Sequence, residues 1–145
     1  MDMKLALMNC YHAHAKADSY ILGFAYKNRT YAIKTDESEM MRYAKLEKAS
    51  RNQGSNLRLR FNTLDKLDLI NKGAFVIGDK DIVNDEKYNK GEKFEKIITE
   101  MYGQTWNKDH VPWWEDGDIT VDGEKIQIKY EDASVMTEKH MARFN

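Results

Sequence analysis

Asp118, Gln127 and Lys129 fall within GDITVDGEKIQIK, residues 117–129, a stretch that reads as one β-hairpin. Asp122-Gly123 is a strong signal for a two-residue type I′ turn, because both residues accept the positive φ angles that this turn requires. With that loop, Val121 opposes Glu124, Thr120 opposes Lys125, Ile119 opposes Ile126 and Asp118 opposes Gln127. Side chains alternate along a strand, so Ile119, Val121, Ile126 and Ile128 share one face. Asp118, Thr120, Lys125, Gln127 and Lys129 share the other. Directly opposed Cβ atoms lie roughly 5 Å apart, so the Asp118 carboxylate and the Gln127 amide oxygen could bind one cation. Mg²⁺ takes hard oxygen ligands and keeps several waters, so a few protein oxygens and a substrate phosphate would complete its shell. The ammonium of Lys129 could orient the attacking water or stabilise charge on the phosphate. A solvated polar face on a half-exposed hairpin is the plain alternative, since any such hairpin shows this alternation.

The element that would bring a further acid to the hairpin is a helix over residues 89–102. Phe94, Ile97, Ile98 and Met101 form its apolar stripe, and Gly103 is placed to stop it. Glu92 and Glu95, three residues apart in GEKFE, share one side. Taken in order, GEKFE on a helix, GDITV on one strand and IQIK on the next resemble the PD-(D/E)XK nuclease superfamily in its Gln-x-Lys variant. The match covers residues 89–131. The resemblance implies a restriction-endonuclease-like core and hydrolysis of phosphodiester bonds of DNA or RNA with Mg²⁺ or Mn²⁺. It assigns metal binding to Glu95, Asp118 and Gln127 and the catalytic lysine to Lys129; the family's G-x-x-F-E spacing selects Glu95 over Glu92. The chain departs from the commoner pattern at Gln127, where Glu is usual. The amide keeps an oxygen ligand but removes a negative charge, which weakens the hold on a cation. It departs again after Lys129, where residues 130–145 leave room for one short helix or strand.

Other residues compete for attention. Arg58 and Arg60 alternate with Leu57, Leu59 and Phe61 in LRLRF and, with Lys48 and Arg51 nearby, make the best local basic patch for nucleic-acid phosphates. A solvated strand face explains them equally. Trp106, Trp113 and Trp114 could stack exposed bases or simply fill the core. His12 and His14, two apart, could aim at one metal if they lie on a strand, but His110 and His140 are remote in sequence. Cys10 reads as a small buried apolar residue.

The rest of the chain sets the frame. At 145 residues it has room for one domain. Its 23 basic and 24 acidic residues balance, so any nucleic-acid contact must use a local patch rather than overall charge. A single cysteine excludes an internal disulfide, and the absence of a signal-like start or a long apolar run points to the cytoplasm and away from a membrane. Strands are expected at KLALMNC and, as a hairpin, at 19–26 and 30–35; helices at 37–51 and in NTLDKLDLINKG, with Leu64, Leu67 and Leu69 or Ile70 inward; and a buried strand at AFVIGD. The polar stretch at 80–88 is the main break.

The expected fold is therefore α/β or α+β: a mixed central sheet with flanking helices, the 117–129 hairpin near its centre and the 89–102 helix packed on it. Residues 1–80 read as an elaboration packed on a reduced nuclease core at 88–145. The balanced charge, the Gln and the short carboxy-terminal end also fit a second function: a non-catalytic, nuclease-like protein of a phage or mobile element that binds and inhibits a host defence enzyme, with the amino-terminal half as its contact surface.

Overall fold

Two hairpins and one edge strand account for the main sheet. The computed structural model describes residues 17–43, 45–48, 56–107, 119–131 and 134–137. Strands β1 (Ser19–Tyr26) and β2 (Arg29–Thr35) are joined by Lys27-Asn28, both at positive φ as a type I′ turn demands. Strands β6 (Ile119–Val121) and β7 (Glu124–Tyr130) are joined by Asp122-Gly123, at φ 51° and 81°. The expected register holds, with Ile119 opposite Ile126, Thr120 opposite Lys125 and Val121 opposite Glu124. β1 then pairs in parallel with β7, setting Tyr20 beside Gln127 and Leu22 beside Lys129. With β5 (Phe75–Asp79) added to β2, the five-stranded sheet runs β5-β2-β1-β7-β6. It is mixed, and the fold is α+β.

Its two faces are covered by different helices. Helix α3 (Lys90–Met101) lays Phe94 and Ile98 on Ile21, Ile119, Ile126, Ile128 and Tyr130. Phe94 lies so close to β1 that a Cβ at Gly23 would fall 2.3 Å from its ring. The opposite face carries the buried Tyr20, Leu22 and Phe24. There Phe24 stacks on Tyr31 and meets Phe61 edge-on. Helix α2 (Thr63–Asn71) contributes the buried Leu69 and is tied to α1 (Glu37–Tyr43) by the Tyr43 hydroxyl donating to Asp68. A smaller antiparallel sheet, β3-β4-β8, is formed by Lys45–Lys48, Asn56–Arg60 and Ser134–Thr137.

Several expectations are corrected. The helix expected over 37–51 stops at Tyr43 and gives way to β3. The sheet's centre is β1, while the 117–129 hairpin lies toward one edge. The strand at AFVIGD forms, but as the opposite edge, leaving Phe75 and Val76 exposed. The inward stripe expected on α2 is replaced by Leu69 alone, with Leu64 and Leu67 exposed, and Met101 of α3 also points outward. Nor do all strands share one sheet, since β4 with its arginines belongs to the smaller one. Residues 1–80 supply β1, β2 and β5, so both halves of the chain build the main sheet. Among the described residues, no helix is long and apolar enough to cross a membrane.

Candidate functional site

The polar face of β7 is where the sequence places its chemistry. Because Ile126, Ile128 and Tyr130 belong to the core under α3, alternation turns Gln127 and Lys129 to the other face, beside Tyr20 and Leu22. That face is not a solvated one at Gln127. The side chain is 0% exposed, and neither its amide nitrogen nor its oxygen has a hydrogen-bond partner among the described residues. Each unsatisfied buried group costs about 1–3 kcal/mol, so the arrangement is expensive unless something else engages it. Lys129, two residues on, is half-buried and engaged by a neighbouring group.

The other expected ligands differ in what can be described. Asp118, which the register would set opposite Gln127, lies outside the described residues. Glu95 is half-buried on α3 next to the buried Phe94, Ile98 and Thr99, and it too is engaged by a neighbour. Its helix lies over the apolar face, whereas Gln127 and Lys129 project from the opposite one. Only the outer edge of β7 could connect them, and beyond Ile126 that edge has no β6 partner among the described residues. Glu92 serves the helix itself. Its carboxylate accepts from the Asn89 backbone while its own backbone N–H donates to the Asn89 side chain, closing a capping box at the start of α3. That occupation gives a physical reason for setting it aside as the helix acid.

Arg60 is exposed at the end of β4, in the smaller sheet. Arg58 pairs through its backbone with Glu47 and Ser134. Of the tryptophans, Trp106 packs edge-on against Tyr88 and buries its indole N–H, which suits a core residue better than a base-stacking platform. Trp113, Trp114, His12, His14, His110, His140 and Cys10 lie outside the described residues. No group of three His, Cys, Asp or Glu side chains converges among the described residues; of Glu95, Asp118 and Gln127, only Glu95 is both described and of those types. The test of fit for a cation thus rests on Gln127, whose orphaned oxygen is the kind of hard donor Mg²⁺ or Mn²⁺ would use.

Two residues at this end of the sheet were not singled out from sequence. Glu131 continues the alternation Gln127, Lys129, Glu131 and is buried, and Lys66 of α2 reaches it at 2.8 Å. The i, i+2, i+4 spacing was a visible signal for Glu131; nothing in sequence pointed to Lys66 as its partner. Compared with protein-family models, curated proteins and solved structures, the chain shows no match.

Proposed function

We propose that the chain is a divalent-cation-dependent phosphodiesterase acting on nucleic acid, with Glu95, Asp118 and Gln127 holding Mg²⁺ or Mn²⁺ and Lys129 serving the hydrolytic step on a restriction-endonuclease-like core. The observation that carries this reading is Gln127: a fully buried amide with both polar ends unpartnered among the described residues, two residues before a half-buried lysine on the same strand face. A cation ligand is a reason for such a group to exist, because the oxygen then recovers in the bound state what burial takes from it. When bound, the ion supplies charge neutralisation at the phosphate and acidifies water. Lys129 donates hydrogen bonds to the phosphate oxygens as charge builds on them. Gln127 offers one lone pair of its oxygen, and its neutrality makes the site depend more heavily on Asp118. Glu95 would reach the ion past the outer edge of β7, where no β6 partner lies beyond Ile126 among the described residues. Water oxygen bonds to phosphorus, a P–O ester bond breaks, and the leaving oxygen takes up a proton.

The decisive assay is cleavage of labelled single- and double-stranded DNA and RNA by the wild type and by Lys129→Ala, purified in parallel, with Mg²⁺, with Mn²⁺ and with EDTA. Wild-type cleavage that EDTA abolishes and Lys129→Ala reduces by about 100-fold or more is the expected result. Equal cleavage by both proteins would remove the enzymatic claim.

A non-catalytic binding protein is the second reading. It is favoured by the apolar side chains left exposed in the amino-terminal half, Leu64 at 77% together with Leu67, Phe75 and Val76. Under that reading Lys129→Ala keeps full biological effect, and Leu64→Glu with Phe75→Glu abolishes it.

A further inference from the structure

The buried face of β7 does not end at Lys129. Glu131 backbone N–H donates to Gly23 O at 2.9 Å, which carries the parallel β1–β7 pairing one step past Tyr130. Its carboxylate then takes the next donor of β1, accepting from Ala25 N–H at 2.7 Å. Lys66, reaching down from α2, lies 2.8 Å from each carboxylate oxygen and donates to Ala25 O at 2.8 Å as well. One ammonium and one carboxylate therefore close both polar groups of Ala25 where β7 leaves the sheet. The side chains of Lys66 and Glu131 are only 16% and 8% exposed.

A buried ion pair is a poor device for stability alone, because desolvation of both charges consumes much of their attraction. What it does supply is direction. Its hydrogen bonds fix where α2 sits over this face and how the last residues of β7 run. Lys129 stands two residues before Glu131, between it and Gln127, so a shift of the strand end displaces the lysine directly.

We propose that Lys66 and Glu131 are positioning residues for Lys129, holding the end of β7 in register so that the lysine is presented to the substrate phosphate. This role rests on the phosphodiesterase reading above. It is distinct from a structural role, because a structural pair can be exchanged for neutral groups without touching turnover so long as the fold persists. Misplacing a reacting group by about 1 Å can cost about 100-fold in rate, so even a partial slip is measurable.

The experiment measures kcat and KM for a nucleic-acid substrate with Mg²⁺, alongside thermal melts, for the wild type, Lys66→Arg, Glu131→Asp and the double variant Lys66→Met with Glu131→Gln. In the double variant the amide oxygen can still accept from Ala25 N–H. The expected result is kcat lowered about tenfold or more in the double variant and in Glu131→Asp, with KM within about twofold of wild type, while Lys66→Arg keeps at least about half of wild-type turnover. Glu131→Asp retains the charge and decides the matter if the double variant fails to fold. Wild-type kcat in the folded variants, or a change confined to KM, would overturn the positioning role. A wild type that does not cleave overturns the phosphodiesterase reading and the positioning role with it; a wild type that cleaves while the variants match it overturns the positioning role alone.

Discussion

Gln127 carries an energetic cost that an apolar replacement would relieve. Leucine has nearly the same volume and no polar atoms, so Gln127→Leu should raise unfolding stability by about 1–3 kcal/mol in urea titrations while eliminating cleavage. A destabilised Gln127→Leu protein would mean that the amide is satisfied in solution and needs no cation. The sequence made the face of this residue legible, because a two-residue turn leaves only one register. Its burial was not legible. Alternation says which side of a strand a residue occupies and nothing about what covers that side, so a solvated face stood as the plain alternative at a residue that the structure buries completely. Leu64 and Leu67 show the reverse error: their spacing suits an inward stripe, yet only Leu69 is buried on that helix.

At the scale of elements, turns and caps carried most of the readable information. Both hairpins formed where short polar loops able to take positive φ interrupt β-rich runs, at Lys27-Asn28 and Asp122-Gly123. Helix α3 begins on a reciprocal cap between Asn89 and Glu92, so Asn89→Ala should destabilise the protein by about 1 kcal/mol. The expected change is a lower urea midpoint with an unchanged m-value; an unaltered midpoint would show that packing of Phe94 and Ile98 alone holds the helix. The region 37–51 misled because Met40, Met41, Ala44 and Leu46 satisfy a helical period. The chain instead leaves the helix after Tyr43, whose hydroxyl bonds to Asp68, and continues as β3 against β4. Such a tertiary partner outweighs a weak local preference.

For the whole molecule, what sequence order hides is the crossing of the two halves. β1 from the amino-terminal part pairs in parallel with β7, a contact between residues more than a hundred positions apart that no local pattern announces. One ion pair spans the same junction: Lys34 on β2 meets Glu124 on β7 at 2.8 Å, with Ser19 on β1 also donating to that carboxylate. The hydrogen bond from Lys34, followed by that from Ser19, holds the Glu124 carboxyl below its ordinary range, and the bond to Glu124 raises Lys34. A depressed carboxyl contributes stability that is complete above the ordinary glutamate pKa and disappears as pH falls through the lowered value. The raised lysine keeps its contribution until the far alkaline side. Between about pH 5 and about pH 3, therefore, wild-type melting temperature should fall more steeply than that of Glu124→Gln. Parallel slopes would show that the junction does not feel this pair.

Thermal melting with Mn²⁺ tests most directly the proposal that the buried oxygen of Gln127 seats a divalent cation. A ligand that binds only the folded chain raises its melting temperature, by an amount that grows with the logarithm of its concentration over Kd. Millimolar Mn²⁺ should raise the melting temperature of the wild type, raise that of Gln127→Leu much less, and raise that of Gln127→Glu more, because the added charge strengthens the site. Equal Mn²⁺ shifts in all three proteins, or no shift in any of them, would contradict it.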